Sequence, residues 1–360
     1  MFSLRRHRRP ERNGTRALRA RNRVGARGRG RGKDRGPLTG ATAAALAGVS
    51  LLALAGCGLK PASAFVPAIE PGSIRPIPSF KDSTIRVTSK EFTEQLILGK
   101  IAVLALTAAG ADVVDHTNVQ GSVTSRKSIV NGENDLAWEY TGTGWINYLG
   151  QEEPIPDIQK QFEAVRDLDL KRNRIAWLAP PAPGNNTYTM VVTRQAQRKY
   201  GLRTLSDMVK VPVAERTFCV ESEFFSRNDG MRGMFQRYGL AYGSSVPAGN
   251  VRQMAAGVIY NATVRGSCVF GEAYETDGRI QALDLQPLVD DRKFFPNYNP
   301  AVVVREPVLR RHPELTALFA KISPKLTTAV LRDLNSKVDV GGEEPVFVAR
   351  DWMREQGLIR

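Results

Sequence analysis

Apolar and polar positions in the body of the chain follow first the spacing of a strand and then that of a helix. Residues 84–88 form a β-branched run, which is typical of a β-strand. The apolar positions that follow recur at helical intervals as far as Gly110, and they are Ile97, Ile101, Leu104, Ala105 and Ala108. The pattern therefore predicts a strand and then an amphipathic helix that ends at a glycine.

Strand-like runs recur along the rest of the chain, with helical stretches between most of them. They comprise residues 111–114, 136–140, 187–192, 217–220, 268–270 and 301–304. Alternation of this kind predicts an α/β protein with largely parallel sheets.

The charge of the chain is concentrated at its N-terminus. The 360 residues carry a net charge of +15, which by itself is typical of a nucleic-acid-binding protein. Residues 1–36 contain 14 Lys and Arg against Glu11 and Asp34, so this arm carries +12 and the remainder only +3. The body of the chain therefore shows no basic surface that would indicate nucleic-acid binding.

An uncharged segment follows the basic arm. Its core, Ala41 to Leu54, is shorter than the roughly 20 apolar residues that cross a bilayer. A basic region, an apolar region and small residues are the parts of an export signal. The segment ends in Leu54-Ala55-Gly56-Cys57, which resembles the lipobox of bacterial lipoproteins, whose cysteine receives a diacylglycerol. We predict that residues 1–56 are a signal peptide and that Cys57 is lipidated. The alternative is an uncleaved signal anchor in which Cys57 is an ordinary residue.

The segment after Cys57 is rich in proline. Residues 58–83 contain five prolines and little apolar periodicity. We therefore predict that residues 57–83 are a lipidated cysteine and an extended, semi-stiff spacer.

Two cysteines remain after the predicted cleavage, Cys219 and Cys268. Each lies in a short apolar, strand-like run. In an exported chain a disulfide is plausible, but two buried free thiols fit the sequence equally well, because spacing does not give the geometry of a disulfide.

The sequence lacks the motifs of common catalytic and cofactor sites. It has no GxSxG, HExxH or CxxC pattern, and Gly142-Thr143-Gly144 lacks the rest of a dinucleotide or phosphate loop. The pairs Glu91 with Glu94 and Glu272 with Glu275 have the spacing of solvated helix faces. The sequence therefore predicts no reaction, no metal site and no cofactor.

Two polar segments follow predicted strands. Residues 89–95 follow the first strand, and residues 139–144 begin at the end of the strand at 136–140. Ligands of open α/β sheets bind at the carboxyl ends of strands. Lys90 would stand close to a helix N-terminus, which itself favours anions. These loops predict a binding protein.

The polar segments also carry a family resemblance. The chain contains SKEFTEQ, NGENDLAWEYTGTG, GNNTYTMVV, EFFSRNDG, YETDGRI and FFPNYNPAVVVREPVLRRHPEL. Together these resemble the substrate-binding proteins of ABC importers for glycine betaine and related quaternary-ammonium osmolytes, over about residues 84–360. The resemblance implies a non-enzymatic, two-lobed periplasmic-binding-protein clamshell of type II, whose hinge has two chain crossings. One lobe would comprise residues 84–186 and 300–360, and the other residues 187–299.

The family holds the trimethylammonium head of its ligand in a cage of aromatic rings. The matching motifs imply that this cage comprises Tyr140, Tyr188, Tyr274 and Tyr298. A quaternary ammonium has no N–H to donate, so ring faces recognise its diffuse charge and its methyl surface. The bland alternative is that these tyrosines are half-buried packing residues. If one assignment is wrong, the substitutes are Phe225, Tyr260 and Trp145.

The same resemblance implies that Lys90, Thr143 and Arg227 surround a carboxylate on the ligand. Arg227 could donate two parallel hydrogen bonds, with Lys90 as a point charge. Choline has a hydroxyl in place of the carboxylate, so it would leave both cations uncompensated in a closed cleft. We therefore expect glycine betaine or proline betaine ahead of carnitine, choline and ectoine.

The hypothesis from the sequence is an extracytoplasmic, lipid-anchored protein that delivers such a solute to the permease and ATPase subunits of an ABC importer. One alternative is a clamshell receptor or sensor for choline, carnitine, ectoine or another small zwitterion, with no role in transport. An exported enzyme is less favoured, because no catalytic pattern is present.

Overall fold

The structure is a computed structural model that describes residues 66–360. Ten strands in this part of the chain form two five-stranded sheets. The strands are β1 (Thr84–Lys90), β2 (Asp112–Val119), β3 (Leu136–Tyr140), β4 (Ile175–Trp177), β5 (Tyr188–Thr193), β6 (Phe218–Val220), β7 (Val251–Gln253), β8 (Phe270–Tyr274), β9 (Leu285–Pro287) and β10 (Pro300–Arg305). The first sheet has the order β2-β1-β3-β10-β4, and the second has the order β7-β6-β8-β5-β9.

Helices connect most of the strands. The α-helices are α1 (Thr93–Ala108), α2 (Ser122–Val130), α3 (Thr141–Thr143), α4 (Ile158–Asn173), α5 (Arg194–Tyr200), α6 (Ser222–Ser226), α7 (Met231–Arg237), α8 (Ala256–Val264), α9 (Arg279–Ala282), α10 (Glu306–Arg311), α11 (Leu315–Ala320), α12 (Thr328–Asp339) and α13 (Pro345–Glu355). A π-helical turn, Gly144–Tyr148, continues α3.

Each sheet contains one strand that runs against the other four. β10 pairs antiparallel with β3 and β4, and β5 pairs antiparallel with β8 and β9. The remaining pairs, β1 with β2 and β3 and β6 with β7 and β8, are parallel. The prediction of an α/β fold is confirmed. Four strands of each sheet share one direction, as the prediction of largely parallel sheets expects, but the fifth strand makes both sheets mixed. The reason lies in the two passages between the sheets. β5 is the first strand after the chain passes from the first sheet to the second, and β10 is the first strand after it returns.

The sheets divide the chain much as the two predicted lobes do. The first sheet uses strands from residues 84–177 and 300–305, and the second uses strands from residues 188–287. The exact lobe boundaries at 186/187 and 299/300 stay a prediction.

The main core lies around α1. Thirteen of its 16 residues are buried, and the helix packs against the first sheet, α12 and α13. The helix ends where Gly110 takes a φ of +93°, a left-handed conformation that favours glycine. The predicted helix with its glycine stop is therefore present, but the prediction that it is amphipathic is wrong, because it is buried on nearly all sides.

The segment before β1 belongs to this packed domain. Ile74 and Phe80 are fully buried in the core, and Ile74 N–H donates a 3.0 Å hydrogen bond to the carbonyl of Leu358. Glu70 and Arg360 exchange backbone hydrogen bonds of 3.2 and 2.8 Å. This described part of the predicted spacer is therefore not an extended tether. Isolated apolar residues among prolines anchor it, and they show no periodicity that a sequence reading could detect.

A disulfide joins Cys219, in β6, to Cys268, which lies just before β8, with their Cα atoms 5.7 Å apart. Of the two alternatives left open by the sequence, the structure therefore contains the disulfide. The predicted signal peptide and Cys57 lie outside the described residues. Among residues 66–360, no helix is both long and apolar enough to cross a membrane.

Candidate functional site

The four tyrosines predicted to form a cage lie at corresponding ends of their strands. Tyr140 ends β3 and Tyr274 ends β8, whereas Tyr188 begins β5 and Tyr298 stands just before β10. Because β5 and β10 run against their neighbours, their first residues lie at the same sheet edge as the last residues of β8 and β3. The register shows this directly, since Tyr188 is paired with Tyr274 and Tyr140 with Pro300.

One small cavity contacts every residue that the sequence singled out for the ligand. Its lining includes Lys90, Tyr140, Thr143, Tyr188, Arg227, Tyr274 and Tyr298. The cavity has a volume of only about 20 Å³. Room of that size holds about one water molecule. A trimethylammonium group therefore enters only when the rings or the sheets on either side move apart.

The aromatic rings are packed against one another. The ring of Tyr188 lies 5.2 Å from that of Tyr274 and 5.5 Å from that of Tyr298, centroid to centroid. Phe92 stacks between Tyr274, at 5.3 Å, and Tyr140, at 6.1 Å. The structure therefore places five aromatic rings at this site, one more than the sequence predicted.

Gly142 allows the loop of Tyr298 to reach the cavity. A Cβ on Gly142 would lie 2.7 Å from the carbonyl oxygen of Asn297 and 2.9 Å from the Tyr298 ring. Such distances are too short for a side chain. The glycine that follows Tyr140 and Thr141 therefore has a packing reason, and it is not part of a phosphate loop.

Lys90 is buried and already has an anionic partner. Its Nζ lies 2.7 Å from Oε1 of Glu139 and 5.0 Å from the ring centre of Tyr140. The other oxygen of Glu139 accepts a 2.6 Å hydrogen bond from the Tyr148 hydroxyl. Lys90 therefore lines the cavity as half of an ion pair rather than as an uncompensated charge.

Arg227 is likewise engaged by carboxylates of the chain. Its Nε and Nη2 each donate a 2.7 Å hydrogen bond to Asp229, and its Nη1 donates one of 2.9 Å to Glu223. A longer bond of 3.3 Å joins Nη2 to Thr143 Oγ1. Burial raises the pKa of Asp229, but the charge of Arg227 and the hydrogen bonds from Arg227, Asn147 and Tyr298 together lower it by more, so the net shift is downward and Asp229 is ionised.

Hydrogen bonds connect elements of the first sheet to elements of the second across the cavity. The backbone N–H of Ser122 donates a 2.9 Å hydrogen bond to one carboxylate oxygen of Glu223, and the Ser122 hydroxyl donates a hydrogen bond to the other oxygen. The side-chain amide of Asn147 donates a 2.9 Å hydrogen bond to the carboxylate of Asp229. The structure therefore has the two sheets drawn together around the site.

Hydroxyls of three of the four tyrosines donate to carboxylates. Tyr140 donates to Glu94 at 2.8 Å, Tyr274 to Glu221 at 2.9 Å, and Tyr298 to Asp229 at 2.6 Å. Glu94 is only 2 % exposed, which corrects the expectation that Glu91 and Glu94 form a solvated helix face. Asn186 and Asn335 also donate 3.0 Å bonds to Glu94.

Sequence reasoning missed several residues of the cavity wall. These are Glu91, Phe92, Ser122, Asn186, Glu221 and Glu223. Phe92 lies inside SKEFTEQ, and Glu223 is the first residue of EFFSRNDG, so membership of these motifs was the available signal. The proposed substitutes Phe225, Tyr260 and Trp145 do not line the cavity.

A wider cleft adjoins the cavity. It has a volume of about 1010 Å³ and shares wall residues with the cavity, among them Phe92, Glu223 and Tyr274. A small solute can therefore reach the aromatic rings through this cleft.

The sequence of the chain matches a known family over most of its length. Residues 83–355 match the family described as the substrate binding domain of an ABC-type glycine betaine transport system. The chain belongs to this glycine betaine family. Its members are extracytoplasmic substrate-binding proteins of transport systems and are not enzymes.

The match to this chain spans nearly the whole length of three curated relatives. A glycine-betaine-binding protein of Pseudomonas aeruginosa is 35 % identical over 77 % of this chain and 89 % of its own. The glycine betaine-binding protein YehZ of Escherichia coli is 32 % identical over 77 % of this chain and 92 % of its own. The carnitine transport binding protein OpuCC of Listeria monocytogenes is 32 % identical over 78 % and 89 %.

Solved structures of the family share the fold. A crystal structure of a glycine betaine/carnitine/choline ABC transporter matches with a TM-score of 0.61 and 29 % identity, over 75 % of this chain and 98 % of its own. YehZ of E. coli without ligand matches with a TM-score of 0.57 and 30 % identity, over 77 % and 99 %. The predicted two-lobed, type II periplasmic-binding-protein fold is thereby confirmed.

Proposed function

We propose that this chain delivers glycine betaine or a related quaternary-ammonium solute to the permease and ATPase subunits of an ABC importer. The observation that carries the proposal is that all seven residues expected to hold such a ligand line one cavity. The names of relatives that bind glycine betaine and carnitine support the same class of ligand.

In this proposal the aromatic rings receive the cationic head. Tyr140, Tyr188 and Tyr298 are buried, and Tyr274 is half-buried, so an enclosed cation would exchange water for ring faces. Cation–π attraction strengthens when the cation is desolvated in this way. Because the rings are in mutual contact, hinge bending would open the site for the ligand and close it again.

Lys90, Thr143 and Arg227 would hold the carboxylate of a betaine. The hydrogen bonds of Arg227 to the described residues use four of its five N–H donors, and the fifth is on Nη1. The ammonium of Lys90 has three donors and bonds Glu139 with one of them. Donors for one carboxylate therefore remain, although the surrounding acidic groups limit how strongly it is attracted.

Calorimetric titration of the purified protein tests the proposal. The ligands are glycine betaine, proline betaine, carnitine and choline, with ectoine and proline as small solutes that lack a quaternary ammonium group. We expect saturable binding of glycine betaine or proline betaine, with ectoine and proline weaker. Failure of every quaternary-ammonium ligand to bind would overturn the proposal.

Substitution of the rings tests the cage. Tyr140→Ala or Tyr188→Ala should weaken every quaternary-ammonium ligand by about 1–2 kcal/mol or more, given desolvated cation–π strengths. Phe225→Ala is the matched control, because the Phe225 ring meets that of Tyr242 edge to face and does not line the cavity. Equal losses in the control and the Tyr140 variant would argue against the cage.

Anchoring of the protein through a lipid on Cys57 is part of the proposal. What supports it is the basic arm, the short apolar run and the small residues before Cys57, together with the extracytoplasmic location of the family. The protein would then stay at the outer face of the membrane, near its permease.

A receptor role without transport is the second candidate. The chemotactic signal transduction system substrate-binding protein CosB of Halobacterium salinarum is 25 % identical over 62 % of this chain. Uptake of labelled glycine betaine by cells with and without this protein separates the two roles. Unchanged uptake, together with binding in vitro, would favour the receptor.

A further inference from the structure

The carboxylates that accept hydrogen bonds from the tyrosines differ in one respect, namely whether a cation of the chain neutralises them. Asp229, behind Tyr298, is paired with Arg227 at 2.7 Å. No lysine or arginine nitrogen within residues 66–360 forms an ion pair with Glu94, which accepts from the Tyr140 hydroxyl, or with Glu221, which accepts from the Tyr274 hydroxyl and lines the cavity beside it.

The hydrogen-bond partners of Glu94 are neutral. Its oxygens accept from the Tyr140 hydroxyl and from the amides of Asn186 and Asn335. All of these are donors, an arrangement that suits a carboxylate that carries a charge. Burial raises the pKa of Glu94, and these hydrogen bonds lower it only in part. A buried carboxylate held this way lacks a compensating positive charge.

The tyrosine hydroxyls keep their protons. Burial, followed by the charge of Glu94, raises the pKa of the Tyr140 hydroxyl well above its usual range. Burial does the same to the Tyr274 hydroxyl, with the charges around it as further causes. Each phenol therefore keeps its proton and donates a hydrogen bond to a carboxylate, which raises the electron density of the ring and makes its face more negative. Cation–π attraction depends on that negative face.

We propose that Glu94 and Glu221 determine the charge specificity of this site by acting through the hydroxyls of Tyr140 and Tyr274. The inference rests on the proposed binding of a quaternary ammonium. The ligand cation would supply the positive charge that the two carboxylates lack, so the site would reject an uncharged molecule of the same shape. Glu94 is a positioning residue, because it does not line the cavity and acts on the ligand only through the Tyr140 ring. Glu221 is part of the cavity wall, so it adds the effect of its own charge to its action through Tyr274.

The experiment compares a ligand with its carbon isostere, in which a carbon replaces the cationic nitrogen. The pairs are choline with 3,3-dimethyl-1-butanol and glycine betaine with 3,3-dimethylbutanoate, and the pair whose cation-bearing member binds the wild type more tightly is used. Calorimetry, with displacement for weak ligands, gives the ratio of the two dissociation constants. This ratio reports on charge, since shape and methyl surface are the same.

Four matched variants each keep the ring and remove one hydroxyl. Tyr140→Phe and Tyr274→Phe should weaken the quaternary-ammonium ligand about three- to tenfold and leave the isostere within about twofold. Tyr298→Phe and Tyr188→Phe are the controls and should leave the ratio within about twofold. The carboxylate behind Tyr298 is neutralised by Arg227, and the Tyr188 hydroxyl has no carboxylate partner among the described residues.

Glu94→Gln and Glu221→Gln complete the set, with the same expected loss of discrimination. Equal weakening of ligand and isostere in the Tyr140 and Tyr274 variants would overturn the inference, because it would indicate packing alone. If all four Phe variants gave the same ratio of the two dissociation constants, the inference would be overturned as well. If the wild type binds no quaternary ammonium, the proposed function fails and this inference falls with it. Normal binding with an unchanged ratio refutes the inference alone.

Discussion

Arg227 stands between two carboxylates of the chain, and this arrangement decides what its removal would do. Asp229 and Glu223 take three of its N–H donors, and Thr143 takes a fourth at longer distance. Without the guanidinium, Asp229 would lose its ion-pair partner, and Glu223 would keep only the charge of Lys90. The local charge would then favour a ligand with net positive charge.

The first prediction therefore concerns selectivity. Arg227→Ala should cost glycine betaine about 2–5 kcal/mol of binding free energy, because its carboxylate loses a buried partner. Choline should lose little or gain. Titration of both ligands measures the difference, and circular dichroism checks folding. Arg279→Ala is the control, because Arg279 is an ion-paired arginine that lines the wider cleft and does not line the cavity. Equal weakening of betaine and choline by Arg227→Ala would mean that Arg227 does not read the carboxylate.

The second prediction concerns Glu272, which is buried behind the site. Its Oε2 accepts a 2.6 Å hydrogen bond from the Glu221 N–H, while its Oε1 has no partner in the described part of the chain. Burial, followed by the charge of Glu221, raises the pKa of Glu272 well above its usual range. The native state therefore holds this proton more tightly than the unfolded state does. The contribution of Glu272 to the free energy of unfolding therefore falls as the pH rises from the pKa in the unfolded chain, near 4.3, through the raised pKa in the folded protein.

Glu272→Gln removes that titration and keeps an oxygen that can accept from Glu221. The variant should be more stable than the wild type above about pH 5, with an advantage that grows as the pH rises further. Thermal unfolding from pH 4 to pH 9 measures it. Glu152→Gln, at an exposed position, is the control and should show no such trend. A constant or shrinking difference would contradict the argument.

At the scale of elements, the segment before β1 contributes to the core of the first sheet. Phe80 has no exposed surface, and its ring meets that of His312 edge to face at 5.3 Å. Phe80→Ala should lower the free energy of unfolding by about 3–5 kcal/mol, because it leaves a cavity in a packed core. Denaturant unfolding measures the loss, with the exposed Lys81→Ala as the control. A loss below 1 kcal/mol would indicate that this segment is only loosely attached.

The strength of the sequence pattern decided which elements were predicted. Residues 136–140 were predicted with the bounds of β3, because a run that is apolar apart from Glu139 lies between polar segments. β4, β7 and β9 have three residues each, which is too short for a periodicity to show. The strand predicted at 268–270 overlaps β8 only at Phe270, because β8 continues through Gly271 and Glu272, which are not typical strand residues.

The site shows the same limit. Its seven predicted residues were named through motifs that resemble a family, and they line one cavity. Glu94 and Phe92 stand in one of those motifs, yet their roles depend on Tyr140 and Asn335, which only the fold brings near. Sequence spacing also could not show that Lys90 and Arg227 have carboxylate partners, because Glu139 and Asp229 carry no signature of pairing.

At the scale of the whole molecule, the location of the protein depends on Cys57. Cys57→Ala should release the protein from membranes or leave its precursor uncleaved, because the predicted lipid attachment site is lost. Labelling with a radioactive fatty acid and fractionation of the cells measure both outcomes. Cys219→Ala serves as the control, since its sulfur is engaged in the disulfide with Cys268. Equal labelling of the wild type and the Cys57 variant would exclude the lipoprotein.

The position of β10 affects the order in which the chain can fold as it emerges from a ribosome or a translocation channel. β10 lies inside the first sheet, between β3 and β4, yet it follows every strand of the second sheet in the chain. The first sheet, although it begins first, stays open at its centre until β10 has emerged. The second sheet is drawn from one continuous stretch and can close earlier. The half of the protein with the earlier start is therefore the half that is completed last, and its exposed β3 and β4 edges are the surfaces that a chaperone would need to protect in the meantime.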